Sequence, residues 1–332
     1  MEDRKKDHIE LAFESQTPGS MADPRFYYEP LLSPHPGDVI PRTLFAGKTL
    51  RLPIWVSSMT GGTRMAGTIN RNLARACREF GMGMGLGSCR IILEDDRYLP
   101  DFDMRDLIGE DLPLFANLGI NQLEILIREK RLDDLPVLVH KLRADGLIIH
   151  VNPFQEWFQP EGDRLEKTAL ESLQVLMEYA AFPVIVKEVG QGMGYHSLRE
   201  LLALPLAAIE FGAFGGTNFS RVEMLRNTAA GQDLLEPLAR IGHDAGQMVH
   251  MVNSILDTEP DLVRCRQLII SGGVKTFLDG YYLTHKSALP AIYGQASGFL
   301  KHAREDYGQL KEFVEMQVKG LQLAYAFLRI RE

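Results

Sequence analysis

The chain predicts an α/β protein, a single (β/α)8 TIM barrel with an N-terminal extension. Three observations carry that expectation. Eight short apolar runs lack polar alternation, which suits strands of a parallel sheet covered on both faces. Stretches able to form helices lie between them, so strand and helix alternate. Each run ends in small, amide or charged residues, where a barrel gathers its functional groups at the C-terminal face. A doubly wound open sheet is the alternative architecture.

The runs, in order, are 53–59, 82–86, 112–117, 146–150, 183–187, 207–211, 267–271 and 290–293. Helical stretches are expected at 63–80, 168–180, 235–256 and 276–287, and one long helix at roughly 297–331. Residues 1–52 have no obvious place in the barrel, which is expected to occupy 53–332. The extension could cap the barrel floor, cross the mouth as a flap, or be partly disordered. Its Pro, Gly and Ser content over 16–38 favours loops.

With 332 residues, 45% of them hydrophobic, the chain can bury a large core. Its 36 Lys and Arg against 44 Asp and Glu give a net charge of −8. No basic block appears, which argues against nucleic acid as the main partner but not against an anionic small substrate. Cys77, Cys89 and Cys265 are scattered without CxxC spacing, so neither a disulfide framework nor a thiolate metal site is expected. No run approaches the ~18–20 apolar residues of a membrane span, and the charged N-terminus has no signal core. A cytoplasmic, non-membrane protein is the expectation.

The loop after the fourth strand is the densest in chemistry: HVNPFQEWFQPEGD, His150 to Asp163. His150 and Asn152 can donate to anionic oxygens, and Gln155 can bind substrate or ordered water. Glu156 can ligate Mg²⁺, which usually binds through one or two carboxylates plus substrate phosphates. His150 could equally be a satisfied structural histidine, and Glu161 and Asp163 read as loop-capping or solvated groups. After the seventh and eighth strands come Ser271-Gly272-Gly273 and Gly294-Gln295-Ala296, with a helix starting near Ser297. Either loop alone is a tight turn; the pair in a barrel reads as a phosphate site. Thr60-Gly61-Gly62, Ser88, Asn117, Lys187 and Thr217 are expected to point into the mouth. Small hydroxyls and amides there suit the polar edge of a flat ring such as an isoalloxazine, and a lysine can favour its reduced anionic form. Otherwise Lys187 forms a lip ion pair with Glu188 or Glu210. Arg4 to Ile9, RKKDHI, is either a solvated tail or a flap over a diphosphate.

Taken together, RKKDHI (4–9), MTGG (59–62), GLGSCR (85–90), ANLG (116–119), HVNPFQEWFQPEGD (150–163), PVIVKEVGQG (183–192), GGTNF (215–219) and SGG (271–273) resemble the type 2, FMN-dependent isopentenyl-diphosphate isomerases. The pieces follow that family's order over nearly the whole chain, and HxNxxQE followed by QPEGD is the most specific of them. The resemblance implies reversible interconversion of isopentenyl and dimethylallyl diphosphate, needing reduced FMN and Mg²⁺, with NADPH as electron source. It implies a homo-oligomer, tetramer or octamer. It assigns the diphosphate to Arg4, Lys5, His8, Ser88, Arg90, His150 and Asn152, Mg²⁺ to Glu156, and the reacting carbons to Gln155. It assigns FMN to Thr60, Ser88, Asn117, Lys187, Thr217, Gly272, Gly273 and Ala296. The glycines Gly61, Gly62 and Gly294, with Gln295, complete the expected cofactor surface. The sequence departs from the family pattern at Lys275, where arginine is expected, and at Phe219, where tryptophan is common. It departs again at Glu210, Gly212 and Gly194, where Asp, Ser and Ser are expected. A barrel flavin oxidoreductase acting on a small hydroxy acid is the alternative enzyme. A catalytically silent phospholigand-binding barrel is the alternative of a different class.

Overall fold

Eight parallel strands close on themselves in the computed structural model, which describes residues 2–37, 40–58, 60–160, 162–226 and 232–331. In chain order they are β1 Ile54–Val56, β2 Gly83–Gly85, β3 Leu114–Gly119 and β4 Gly146–Val151. Then follow β5 Val184–Glu188, β6 Ala208–Glu210, β7 Leu268–Ser271 and β8 Ala291–Gln295. β8 returns beside β1, pairing Tyr293 with Ile54, so the sheet is a closed barrel and not an open one. Each of the eight predicted runs overlaps one strand. Their near-continuous apolar character follows from burial on both faces: Trp55, Phe115, Ile148, Ile185, Ile269 and Ile292 are all fully buried.

Helices cover the outside. Arg64–Phe80 begins where the Thr63 hydroxyl accepts from Ala66 N and ends at Gly81, in the left-handed conformation with φ 75°. Ala169–Tyr179 and Phe277–Lys286 also fall where expected. Both carry a capping box, built on Thr168 and Glu171 and on Thr276 and Asp279.

Two expected helices are corrected. The stretch 235–256 is not continuous: a 3-10 segment Gln232–Arg240 containing Pro237 ends before a new helix, Ala245–Thr258. Proline removes an amide donor, and Asp244 with Gln247 forms a fresh capping box. The stretch 297–331 is likewise divided. Ser297–Ala303 and Tyr307–Phe327 are separate helices, the second capped by Asp306, which accepts from Gly308 N at 2.6 Å. The chain then turns into the strand Leu328–Ile330, which pairs antiparallel with Phe26–Tyr28.

The hairpin Thr43–Phe45 and Lys48–Leu50 lies against the barrel floor. Gln267, just before β7, accepts from Ala46 N at 2.9 Å and donates to Leu44 O at 3.1 Å. The Phe45 ring packs 5.5 Å from that of Trp55. Lys48 and the fully buried Arg105 share Asp145, at 2.5 and 2.9 Å. By contrast, residues 3–11 of the N-terminal helix Glu2–Leu11 are exposed along its length. The three cysteines are buried and unbridged, and burial pushes their thiols above the ordinary range.

Candidate functional site

β4 ends at Val151. Asn152, at φ −145° and ψ 50°, leaves the strand direction, and Pro153 opens the short helix Pro153–Phe158. Proline at a helix start needs no amide donor, so the turn is abrupt. It gathers the loop's polar groups at the C-terminal rim. Asn152 Nδ2 donates to Gln155 Oε1 and to Glu156 Oε1, both at 3.1 Å. Glu156 Oε2 accepts from Asp163 N at 3.1 Å. Asn152 Oδ1 is buried and has no partner among the described residues.

A residue outside the sequence-derived set completes this network. Glu223, on the helix Phe219–Arg226, is 4% exposed. Its Oε1 accepts from Gln155 Nε2 at 3.3 Å and Gln159 Nε2 at 2.8 Å, and its Oε2 from Arg226 Nη1 at 2.6 Å. Gln155 is thereby held at both ends of its amide. The one local signal for Glu223 was an acid set between Val222 and Met224 in a helical stretch. Asp163, expected as a solvated or capping group, bridges instead: its carboxylate pairs with Arg90 at 3.0 Å and its carbonyl accepts from Asn121 at 2.6 Å. Arg90 is therefore drawn to the opening loop.

Inside the mouth, Gly119, His150, Lys187 and Glu210 lie in register across β3, β4, β5 and β6. His150 Nδ1 is 2.8 Å from Asn117 Oδ1. Asn117 Nδ2 is already committed to Leu86 O at 3.0 Å, so Oδ1 accepts and Nδ1 carries the ring proton. Burial, and then the positive charge of Lys187, pull the His150 pKa down to about 4. The ring is neutral at physiological pH, and it can donate to an anion only through a protonated Nε2.

Lys187 Nζ donates to the backbone carbonyl of Glu188 at 2.8 Å. The alternative lip ion pair is absent among the described contacts. The Glu188 carboxylate instead accepts from the amides of Gly190, Gln191 and Gly192 at 2.7, 2.7 and 2.8 Å. Burial raises its pKa against the pull of those amides. Glu210 is fully buried, with Oε1 accepting from Ser271 Oγ at 3.2 Å and Oε2 without a partner. Ser57, Ser58 and Gln295 also leave buried oxygens without a partner among the described residues, at strand ends. Buried polar groups are normally hydrogen-bonded, so a set of them at one end of a barrel marks a surface shaped for a ligand.

The loops after β6 and β7 touch through glycine. A Cβ added at Gly216 would lie 3.1 Å from Gly273 N, and one at Gly272, with φ +86°, would lie 2.1 Å from Ala213 O. Only bare backbone fits there, and it leaves amides near the rim. The loops after β1 and β2 meet in the same way, Gly87 against the Thr60 carbonyl, where an added Cβ would come within 2.3 Å.

Thr60, Gly61 and Gly62 are half-buried in this rim, and Ser88 and Thr217 are exposed on it. Gly294 and Gln295 are corrected from loop to strand: both lie in β8 and are buried, and Ala296 is the residue that turns into the next helix. The helix Ser297–Ala303 starts directly after the loop that follows β8, as expected, and the loops after β6 and β7 approach each other through Gly216 and Gly273. No hydrogen bond or ion pair links Arg4, Lys5 or His8 to the mouth among the described residues; all three are exposed. Met59 and Glu161 lie outside the described residues. Among the described residues no three His, Cys, Asp or Glu side chains gather as a metal cage. The Glu156 carboxylate stands beside Asn152, whose Oδ1 has no partner among the described residues.

No family model matches the chain. Curated relatives do. The isopentenyl-diphosphate delta-isomerase of Rickettsia felis (strain ATCC VR-1525 / URRWXCal2) is 33% identical over 326 residues, 97% of this chain and 91% of that protein. The isopentenyl-diphosphate delta-isomerase of Rickettsia typhi (strain ATCC VR-144 / Wilmington) is 31% identical over 328 residues, 97% of this chain and 92% of that protein. Among solved structures, a mandelate oxidase mutant with the monooxide FMN adduct matches with a TM-score of 0.56 at 15% identity, covering 93% of this chain and 88% of that one. A flavocytochrome b2 variant with sulfite bound matches with a TM-score of 0.61 at 14% identity, covering 90% and 71%. These structural likenesses concern the fold.

Proposed function

The chain belongs to the isopentenyl-diphosphate delta-isomerase family, and from that premise we propose that it is a type 2, FMN-dependent member. It interconverts isopentenyl and dimethylallyl diphosphate, with FMN kept reduced by NADPH and the diphosphate anchored through Mg²⁺. The observation that carries this reading is the network around HVNPFQEWFQPEGD. One loop presents a neutral histidine, a doubly held glutamine and the Glu156 carboxylate, all at the barrel mouth.

The residues present fit a flavin. Ser57, Ser58 and Gln295 offer unpartnered buried oxygens, and the Gly216–Gly273 contact offers bare amides suited to a phosphate. Lys187 is a buried cation able to face the N1–C2 edge, and Thr60, Ser88, Asn117 and Thr217 line the rim. Gly61, Gly62, Gly272, Gly273, Gly294, Gln295 and Ala296 complete that surface. The residues also fit Mg²⁺: Glu156 and Asn152 Oδ1 supply hard oxygens, and the substrate phosphates and water supply the rest.

When bound, the reduced flavin supplies the acid–base chemistry that adds a proton at one carbon and removes one from another, with N5 as its proton-bearing atom. The chain's own residues orient and stabilise. Glu223 and Asn152 fix the Gln155 amide, so the side chain near the alkene cannot rotate. An anionic oxygen beside His150 Nε2 favours the imidazolium, which turns a neutral ring into a cationic donor. Ser88 and Arg90 reach the same anion from the loop after β2. Arg4, Lys5 and His8 are assigned to it as a closing flap, residues 1–52 being the extension and 53–332 the barrel. We further assign a cytoplasmic homo-oligomer, tetramer or octamer. No helix among the described residues is long and apolar enough to cross a membrane.

The test is an anaerobic assay with FMN, Mg²⁺, a reductant and isopentenyl diphosphate. Dimethylallyl diphosphate should form without net NADPH consumption. Its absence from flavin-loaded protein refutes the reading, and steady substrate-dependent NADPH oxidation points to the hydroxy-acid oxidoreductase alternative.

A further inference from the structure

We propose that Arg164 positions the Glu156 carboxylate for Mg²⁺. It acts through the backbone of Glu156 and not on the ion, so it is a positioning residue. The inference rests on the Mg²⁺ reading above and deepens it. Arg164 lies one residue beyond the motif that marks the loop.

The sequence leaves a gap that Arg164 fills. In an α-helix the carbonyl of residue 156 would accept from the amide of residue 160. Residue 160 is proline, which has no amide donor. The helix Pro153–Phe158 therefore closes with Gln159 N donating to Gln155 O at 3.2 Å, and the Glu156 carbonyl is left over. Arg164 Nη1 donates to that carbonyl at 2.5 Å and to Gly162 O at 3.2 Å, and Nη2 donates to Trp157 O at 3.2 Å. Among the described residues no other donor reaches Glu156 O. The guanidinium carbon also lies 4.6 Å from the centroid of the Trp157 ring, which steadies its plane.

This grip governs the carboxylate because the two sides of the loop meet at Glu156. A Cβ at Gly162 would lie 2.0 Å from Glu156 O, so only bare backbone passes there. The next amide, Asp163 N, donates to Glu156 Oε2 at 3.1 Å, while Asn152 Nδ2 holds Oε1 at 3.1 Å. Asp163 is itself fixed by Arg90 and Asn121. The carboxylate is thus oriented from the strand side by Asn152 and from the returning chain by Asp163. Arg164 sets the spacing between those sides, since it binds the carbonyls of Glu156 and Gly162 together. A planar fork can hold three carbonyls at once, which the point charge of a lysine does less well. Arg164 and Trp157 are both exposed, so removing the guanidinium opens no cavity in the core.

The experiment uses whole, FMN-loaded, oxidised protein with isopentenyl diphosphate and Mn²⁺ in place of Mg²⁺, the free ion being read by electron paramagnetic resonance. R164Q should weaken Mn²⁺ binding about 10- to 100-fold, the usual effect of losing a group that orients a metal ligand, and R164K should recover part of it. Turnover should split the same way: the Mg²⁺ concentration for half-activity rises, while kcat at saturating Mg²⁺ stays within about threefold. FMN affinity and melting temperature should stay near those of the wild type. R128Q, which removes an exposed arginine paired with Glu166, is the control and should change Mn²⁺ binding less than about twofold. Unaltered Mn²⁺ affinity in R164Q overturns the proposal. So does a loss matched by equal loss of FMN affinity or by a large fall in melting temperature, because Arg164 would then serve the fold. If R164Q does not fold, R164K carries the test: wild-type Mn²⁺ affinity in it overturns the proposal, and an intermediate loss supports it. Wild-type protein that binds no Mn²⁺ under these conditions overturns the Mg²⁺ reading itself.

Discussion

The two ends of the barrel are built from similar polar residues and treat them in opposite ways. At the floor, Arg105 is fully buried, and every contact it makes is internal. It donates to Arg143 O, Gly109 O and Leu112 O at 2.7–3.0 Å and to Asp145 at 2.9 Å. Arg51 donates to the carbonyls of Arg78 and Glu79 at 2.9 and 2.7 Å, at the end of the helix after β1. At the mouth, Ser57, Ser58, Asn152, Glu210 and Gln295 each leave a buried oxygen without a partner among the described residues. A hollow at the floor, about 660 Å³ and lined by Arg42, Arg51, Arg78 and Arg105, is larger than the 480 Å³ cavity beside the loop after β6. Size therefore misleads. Most of the floor arginines are consumed by the fold, while the mouth holds polar capacity in reserve. That division is the one expected of a barrel, with stability at one face and chemistry at the other.

The sharpest way to break the comparison is at the floor. Arg105→Met should cost about 3–5 kcal/mol of unfolding free energy, because three carbonyls lose this donor and Asp145 keeps only Lys48 and Leu114 N. Denaturant unfolding would measure it. A loss below about 1 kcal/mol would mean the floor network is dispensable. Next comes the mouth: Glu156→Gln should lower Mg²⁺-dependent turnover by at least about 100-fold while leaving FMN bound and the melting temperature within a few degrees. Release of FMN instead would place this carboxylate in the wrong site.

A smaller effect is set by His150. Its folded pKa, about 4, lies below its ordinary value of 6.5. The unfolded chain therefore binds the proton first, and stability present above pH 6.5 is lost as the pH falls towards 4. The loss should be about 3 kcal/mol, read as a steeper decline in melting temperature for the wild type than for His150→Gln. Substrate diphosphate should oppose it by drawing a proton onto Nε2. An identical acid slope in both proteins would show that the ring is not held neutral. Smallest of all, Ser57→Ala should change the stability of ligand-free protein by less than about 0.5 kcal/mol, since its hydroxyl has no partner to lose. It should still weaken flavin binding several-fold by titration. A large loss of stability without ligand would mean the hydroxyl serves the fold.

Much of this was legible along the chain. Apolar runs without alternation mark strands, glycine and amide clusters mark their C-terminal ends, and both signals are local. The loop from His150 to Asp163 was readable because Asn152, Gln155 and Glu156 sit three and four residues apart on one turn, where they meet. Breaks were less visible: Pro237 and Asp306 carried the information, but an apolar pattern on either side masked it. Glu223 was unreadable as a site residue, because its value lies in facing Gln155 and Gln159 across a packed helix pair.

The sequence by itself determined an eightfold alternation, the rim on which polar residues would collect, and the order of the motifs that place the chain in its family. Only the tertiary structure decided which of those residues meet. Barrel closure buries His150 and sets it beside Lys187, which keeps it neutral, presses Gly216 onto Gly273, and brings Glu223 to Gln155. The reason is physical. Secondary structure follows from periodicity within a few residues, whereas burial, charge pairing and unpartnered donors depend on neighbours that the chain supplies from far along its length.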